Sequence, residues 1–525
     1  MCRCLLVQSQ LAGDANAHAA DRAGDARLAA VSANPGAAAL LGQPVSRVVY
    51  PALALPTKSD GLHRSGFLKG LGHAWGFLCA FIRARWGYRF KDRTSLLRWQ
   101  QHMLQRYLSQ ELVHMGFYKA LDRGGLTLLP VVDKNHVLAE FDQFNRPGLA
   151  LDQVLALATR AERERDFKPT LSAGITAGLS SGTSGQRGVF LASERERAVW
   201  AGTILARMLS TRALRQLLNP VAPPLRVALL LRANSNLYTR VHSWRLKFHF
   251  GDLLAPMMQH VTMLNGLQPD ILVAPASVLH ALADAQGAGA LRIAPHQVIS
   301  VAEVLEPDDA HGIEQAWGRR PDQIYQCTEG FLASTCGQGR LHLNEELVHF
   351  ETDWLDEAHI RFVPVITDFT RQTQAFVRYR LDDILQADLR PCPCGRVSLC
   401  ISAVEGRQDD VLWLPARETK MEQAVFPDLV RRAMSLAQTQ AGLAEPCFSD
   451  YRLLQTTDTW VIRLNGAIAP KEASAAVERE IQALCLATGL VAPTLVFEPW
   501  MDDAPGAKRR RIRCQRQPQR ESGAT

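Results

Sequence analysis

The sequence predicts an α/β protein, with a large N-terminal α/β domain and a small C-terminal α+β domain of split βαβ order. Three observations carry this. Short apolar runs (Val227–Leu231, Ile271–Ala274, Val298–Val304, Val363–Ile366) alternate with helix-length segments, the pattern of a buried, mostly parallel sheet. From Val411 the pattern changes to strands and helices in the order β-α-β-β-α-β. At 525 residues the chain is also too long for one small core, since about 150 residues per domain gives roughly three units.

Composition excludes several classes. With 47% apolar and 21% charged residues, wholesale disorder and collagen-like repeats are ruled out. The net charge of +7 is concentrated in Lys508–Arg520, which holds seven basic residues and no acid, so the remainder balances at 52 against 52. The body is therefore not a basic nucleic-acid surface and no DNA partner is expected, whereas the tail is open to RNA or acidic lipid or to being a solvated end. Eleven cysteines without framework-like spacing fit reduced thiols and a cytoplasmic protein.

Taken in order, residues 11–41 hold thirteen alanines and Val31 as their one large β-branched or aromatic side chain, so residues 1–65 are expected to be a disordered extension. The stretch Phe67–Trp86 is the most membrane-like, but Lys69, His73, Arg83 and Arg85 interrupt it. Its longest uncharged run, Ala74–Ile82, falls far short of the roughly 20 residues of a span, so it predicts an amphipathic surface helix. Leu96, Leu97, Trp99, Met103, Leu104, Tyr107 and Leu108 continue the helical spacing. The large domain is expected over 66–408, and the small one, mobile, over 409–513, followed by a flexible basic tail at 514–525. In the small domain the strand Val411–Leu414 and the helix Ala424–Gln438 precede strands Phe448–Gln455 and Trp460–Leu464. The helix Ala473–Leu486 and the strand Thr494–Phe497 complete the set.

The sharpest chemical signal is Leu179-Ser-Ser-Gly-Thr-Ser-Gly-Gln-Arg-Gly188. Three glycines and four hydroxyls ahead of a helical segment (Glu194–Leu209) suit a loop whose N–H groups and hydroxyls wrap phosphate, with Arg187 adding charge. It is neither a Walker A loop nor a nucleophile elbow. Downstream follow Tyr325-Gln-Cys-Thr-Glu-Gly330, Phe376-Val-Arg-Tyr-Arg-Leu-Asp-Asp-Ile384, Gly406-Arg-Gln-Asp-Asp-Val411 and Gly506-Ala-Lys-Arg-Arg510.

In order and spacing these segments resemble the adenylate-forming superfamily of acyl-CoA synthetases, most closely the phenylacetate-CoA ligase-like and deazaflavin-coenzyme synthetase-like proteins. The resemblance runs from about Phe67 to Arg513. It implies ATP bound by Ser180, Ser181, Gly182, Thr183, Ser184, Gly185 and Arg187 at the phosphates and by Tyr325 on adenine, with Glu303 nearby. It also implies Asp383 and Arg407 at the ribose, Thr328 and Glu329 at phosphate and Mg²⁺, Asp409 as hinge, and Lys508 bridging carboxylate and α-phosphate. Arg187 stands where many relatives carry Pro-Lys, and Leu381-Asp382 where they carry Thr-Gly.

The activity so implied is ATP-dependent conversion of a small carboxylic acid to acyl-AMP, then transfer to a thiol of CoA or of carrier-protein phosphopantetheine. Adenylyl transfer to a coenzyme and a catalytically silent binding protein of the same fold are the alternatives. The physics fits: two anions meet at the α-phosphorus, so cations and oriented donors matter more than a covalent nucleophile.

Two further sets complete the reading. Cys336, His342, Cys392 and Cys394 offer the Cys₃His ligands of a closed structural Zn²⁺ site, with Cys327 and Cys400 as rivals and ordinary buried thiols as the alternative. Tyr238, His242 and Trp244, with Phe248 and Phe250, are either an apolar pocket for a ring-bearing acid or simple core.

Overall fold

The computed structural model describes residues 63–180, 187–232, 243–439, 446–457, 459–467, 469–502 and 509–516, all within the compact unit Leu62–Thr525. Helices α1 (His63–Ile82) and α2 (Arg93–Gln110) open it, separated by a wide turn at Arg83–Gly87. The hairpin β1 (Thr176–Leu179) and β2 (Val189–Ala192) leads into α3 (Glu194–Met208).

A twelve-stranded sheet then forms from β3 (Leu225–Leu231), β4 (Leu246–Asp252), β5 (Ile271–Ala274), β6 (Gln297–Val301), β7 (Asp322–Gln326), β8 (Phe331–Thr335), β9 (Leu341–Leu343), β10 (Val348–Trp354), β11 (Arg361–Asp368), β12 (Tyr379–Arg380), β13 (Asp383–Asp388) and β14 (Cys400–Arg407). Its order is β10-β11-β13-β14-β9-β8-β7-β6-β5-β3-β4, with β12 beside β11. Helices α4 (Met257–Leu267), α5 (Ala276–Gly287) and α6 (Pro307–Trp317) are interleaved with the parallel strands.

Alternation along each strand explains the layers. Val227 and Leu229 of β3, Ile271 and Val273 of β5 and Ile299 of β6 face the core shared with α2 and α3. Ala228, Leu230, Leu272, Ala274 and Val298 face α4, α5 and α6. Strands covered on both sides read as unbroken apolar runs, which is why β3 and β5 are legible in the sequence. The expectation of a mostly parallel sheet holds for β3 to β7; from β7 through β8, β9, β14, β13, β11 and β10 every pairing is antiparallel. Helix α1 crosses α3 so closely that a Cβ on Gly202 would lie 2.3 Å from the Phe77 carbonyl oxygen, a position only glycine fills.

After β14 come the hairpin β15 (Leu412–Pro415) and β16 (Glu422–Val425), then α7 (Pro427–Gln438), β17 (Asp450–Gln455), β18 (Thr459–Asn465), α8 (Pro470–Ala487), β19 (Thr494–Glu498) and β20 (Ile512–Cys514). A separate core joins Val430, Met434, Val477 and Ile481 of the two helices to Leu453, Trp460 and Ile462 of the sheet β19-β18-β17-β20. This is the small α+β domain, with one difference from the sequence reading. The strand near Val411–Leu414 pairs with β16, and the sheet edge beside β17 is taken by β20 in parallel. The side chain of Gln455 bridges to the displaced strand, accepting from Trp413 N at 2.8 Å and donating to Trp413 O at 2.7 Å. Among the described residues, no helix is long and apolar enough to cross a membrane.

Candidate active site

The ends of the central strands converge on one cavity of about 870 Å³. At the end of β7 the chain kinks at Tyr325/Gln326 and turns through Cys327–Gly330 before returning as β8. That turn presents Tyr325, Thr328 and Glu329 to the cavity. The Tyr325 hydroxyl donates to Asp383 Oδ2 at 2.6 Å. Burial first, then the Asp383 carboxylate, push the Tyr325 phenol well above its usual range, so it stays a donor. Asp383 opens β13 directly opposite Arg407, the last residue of β14, and Arg407 Nε lies 3.8 Å from Asp383 Oδ1.

Glu329 accepts from Thr328 Oγ1 at 2.7 Å and from the Tyr379 hydroxyl at 3.2 Å. Burial and then Glu329 raise the Tyr379 phenol, which keeps that proton in place. An oxygen-rich, anionic group of this kind suits a hard divalent cation shared with phosphate oxygens. Glu303 is aimed by strain: Ala302 before it adopts φ 65°, a left-handed conformation unusual for a residue with a Cβ. One Glu303 oxygen accepts from Ser277 N at 2.9 Å, at the start of α5, and the other from Arg509 N at 3.2 Å. Arg509 and Arg510 line the cavity, and Arg510 Nε donates to Asp410 Oδ1 at 3.0 Å.

The base of the glycine-rich loop is pinned shut. Ser180 N donates to Gly188 O at 2.7 Å and Gly188 N to Ser180 Oγ at 2.6 Å. Arg187 binds Ser180 O at 2.8 Å and grips Glu162 with both terminal nitrogens at 2.7 and 2.6 Å. Its charge is thus engaged at the root of the loop. Ser180 lines the cavity. Ser181, Gly182, Thr183, Ser184, Gly185, Tyr238, His242 and Lys508 lie outside the described residues, as do residues 1–62. Trp244 is 72% exposed, with Arg245 over its ring. The backbone of Asp409 belongs to the short turn Gln408–Asp410.

Sequence reasoning missed several lining residues. Arg371 donates to the Thr328 carbonyl at 3.3 Å, and Lys134 Nζ stands 4.0 Å from Asp382. Glu196, in the capping box of α3, accepts from the backbone N–H groups of Gln372 and Thr373 at 2.7 and 2.9 Å. Burial opposes its ionisation, but Arg371 and these bonds outweigh burial and hold the carboxyl below its usual range. The signal at hand was Ser193-x-x-Glu196, a capping box before an apolar run. For Arg371 and Lys134 no local spacing gives a signal. Tyr107, Phe190, Trp200, Phe331 and Phe369 supply an apolar wall.

A second cluster lies where β9 meets β14 and the loop before it. The ligand atoms of Cys336, His342, Cys392 and Cys394 are all within 4.8 Å of one another. Cys336 and Cys392 sulfurs are 3.7 Å apart, and Cys394 Sγ is 3.4 Å from His342 Nε2. A tetrahedral Zn²⁺ with bonds of about 2.3 Å to sulfur and 2.0–2.1 Å to nitrogen sets these separations near 3.8 and 3.6 Å. His342 Nδ1 is 3.2 Å from the Ser398 carbonyl, the outer partner that fixes the tautomer with Nε2 toward the thiols. Cys400 Sγ also lies 3.4 Å from His342 Nε2, whereas Cys327 sits in the cavity wall.

No family model matches the sequence, and no curated protein does. Solved structures do match. Two are of 2-hydroxyisobutyryl-CoA ligase in the postadenylation state, in complex with 2-HIB-AMP (TM-score 0.51, 15% identity, covering 80% of this chain and 88% of that one) and with R3-HIB-AMP (TM-score 0.52, 16% identity, 80% and 89%). At this identity the likeness shows a shared fold, that of a large α/β domain with a smaller C-terminal domain.

Proposed function

We propose that the chain is an adenylate-forming acid–thiol ligase of the phenylacetate-CoA ligase-like kind. A carboxylate oxygen attacks the α-phosphorus of ATP and pyrophosphate leaves; a thiolate of CoA or carrier-protein phosphopantetheine then attacks the acyl carbon and AMP leaves. The observation that carries this reading is the convergence of Tyr325, Thr328–Glu329, Asp383–Arg407, Glu303 and the segment after Lys508 on one cavity. The fold shared with a CoA ligase supports it.

In this scheme Tyr325 packs on adenine, Asp383 and Arg407 take the ribose hydroxyls, and the 180–185 loop and Arg371 surround the phosphates. Glu329, oriented by Thr328 and Tyr379, holds Mg²⁺, which offsets phosphate charge. The acid lies against Tyr107, Trp200 and Phe331, so its body is apolar and an aromatic acid is the first class to assay. The large domain spans 66–408 and the small domain 409–513 turns about Asp409. Cys336, His342, Cys392 and Cys394 hold a structural Zn²⁺ that ties β9 to the 392–394 loop.

The test separates the half-reactions. Purified protein is assayed with an acid panel for pyrophosphate release, and with CoA and carrier protein for thioester by mass spectrometry. Lys508→Ala should slow acyl-AMP formation on the order of 10²–10³ while thioester formation from synthetic acyl-AMP stays near normal, because only adenylation brings two anions together. Equal slowing of both steps overturns the role of Lys508. Adenylation without any thioester favours adenylyl transfer to a coenzyme, and no pyrophosphate release with any acid favours a silent binding protein.

A further inference from the structure

Helix α1 is apolar on two sides. Its inner face, with Phe77 and Phe81, packs on α3 at the Gly202 crossing. Its outer face presents Trp75, Leu78 and Ile82, continued by Trp86 in the next turn, and these are 68, 45, 47 and 44% exposed. At about 100° per residue Trp75, Leu78 and Ile82 fall within an arc of roughly 60°. Large apolar side chains scattered singly on a surface need no explanation, but a stripe of four with two indoles marks an interaction surface.

Charge identifies the occupant. From Gly72 to Arg98 there are six arginines and lysines against the single acid Asp92. Arg85 is spent on the carbonyls that end α3, at Ala206 and Leu209, and Arg93 on Glu345. Arg83, Arg89, Lys91 and Arg98 are exposed. Indoles and aliphatics on one face, with exposed cations in the segments that follow, match a helix lying in the headgroup region of an anionic bilayer. A symmetric pairing of two copies through this face would instead bring the same cations together. The stripe also reaches the cavity, because Trp75 lines it together with the neighbouring Cys79 and Arg83.

We propose that α1 and the turn after it seat this protein on an anionic lipid surface, with the rim of the cavity toward the headgroups. The docking needs no catalysis, so it is tested apart from the proposed reaction.

The experiment is flotation of the full chain with vesicles of phosphatidylcholine alone and of phosphatidylcholine and phosphatidylglycerol in equal parts. Wild-type protein should float with the mixed vesicles at least about ten-fold more than with the neutral ones, and less as salt is raised. Arg89→Glu/Lys91→Glu should weaken binding about 25-fold, taking roughly five-fold per basic residue lost. Leu78→Ser/Trp86→Ser should weaken it about ten-fold or more in a protein that still melts cooperatively. If that variant fails to fold, the charge-reversal variant decides alone.

Absence of flotation with either vesicle overturns the proposal, as does binding indifferent to both double variants, which would move lipid contact to the basic C-terminal tail. Binding lost with charge but untouched by Leu78→Ser/Trp86→Ser also overturns it, in favour of a purely electrostatic contact in which the apolar stripe takes no part. A lipid-free dimer that Trp86→Ser dissociates makes a second copy the occupant instead.

Discussion

A buried pair of carboxylates and a half-buried one are held in opposite ways in this chain. Glu345 and Glu346, where β9 gives way to β10, are answered by guanidinium groups: Arg93 donates to Glu345 at 2.7 Å, and Glu346 meets Arg207, with Arg396 at 3.6 Å. Glu329, in the cavity, is held by the neutral hydroxyls of Thr328 and Tyr379. Both arrangements satisfy lone pairs. The first cancels charge and fastens α2 and α3 to the sheet; the second orients a carboxylate while leaving its charge for something that enters. On the proposed function Glu329, oriented by neutral donors, is a working acid, whereas Glu345 and Glu346, paired with arginine, are structural.

Exchange of the two should separate rate from stability. Glu329→Gln is expected to reduce Mg²⁺-ATP-dependent pyrophosphate exchange on the order of 10²–10³, the loss of one group at a centre of developing charge, with the melt nearly unchanged. Glu346→Gln strands Arg207, and breaking such a pair costs about 3–5 kcal/mol, enough to lower the melting temperature by roughly 3–5 °C. The comparison collapses if Glu329→Gln destabilises as much as Glu346→Gln, or exchanges pyrophosphate like wild type.

The Cys/His cluster sharpens the same contrast, since its worth should lie wholly in stability. Metal analysis should find about one zinc per chain, because binding energy at a closed site is folding energy. Cys392→Ser should remove the metal and lower the melting temperature, and acyl-AMP formation at low temperature should survive. A metal-free preparation that melts like the holoprotein would dismiss the site.

The distinction between working and structural carboxylates was only partly legible in the sequence. Tyr325, Thr328 and Glu329 share one turn, and Asp383 and Arg407 stand at strand ends, but each segment alone is a weak signal, and only their order and spacing together singled them out. β3 and β5 were legible because burial on both faces leaves an unbroken apolar run. Lys134 and Arg371 reach the cavity from distant segments with no spacing that announces them. The antiparallel half of the sheet was missed for a related reason: β9, three residues long, pairs with β14 some sixty residues on, and such pairing leaves no trace in either strand. β20 escaped because its isoleucine sits among arginines, Arg510, Arg511 and Arg513, the first two of which are met by Asp410 and Asp450 elsewhere in the chain.

The smallest effect tests a carboxylate between the two classes. Glu405, at the end of the large domain on β14, is 1% exposed and accepts from Arg361 Nε at 2.9 Å. Arg361 also donates to Asp428 of α7 at 2.6 Å, so one arginine serves two acids across the junction of the domains. Burial, with Asp428 adding to it, outweighs Arg361 and pushes the Glu405 carboxyl up to about 7. A carboxyl raised in the folded state favours its protonated form there, so its contribution to stability is fully present below the unfolded value near 4.5 and is lost as pH rises through about 7. Melting temperature should therefore fall between pH 5 and 8 more steeply in wild type than in Glu405→Gln, by roughly 2 °C across that window. The difference between the two profiles is the measurement, because His280, His296 and His349 are shifted as well and contribute equally to both. Parallel profiles would mean that Arg361 keeps Glu405 ionised throughout, which would place it with Glu345 and Glu346 among the fully paired structural acids.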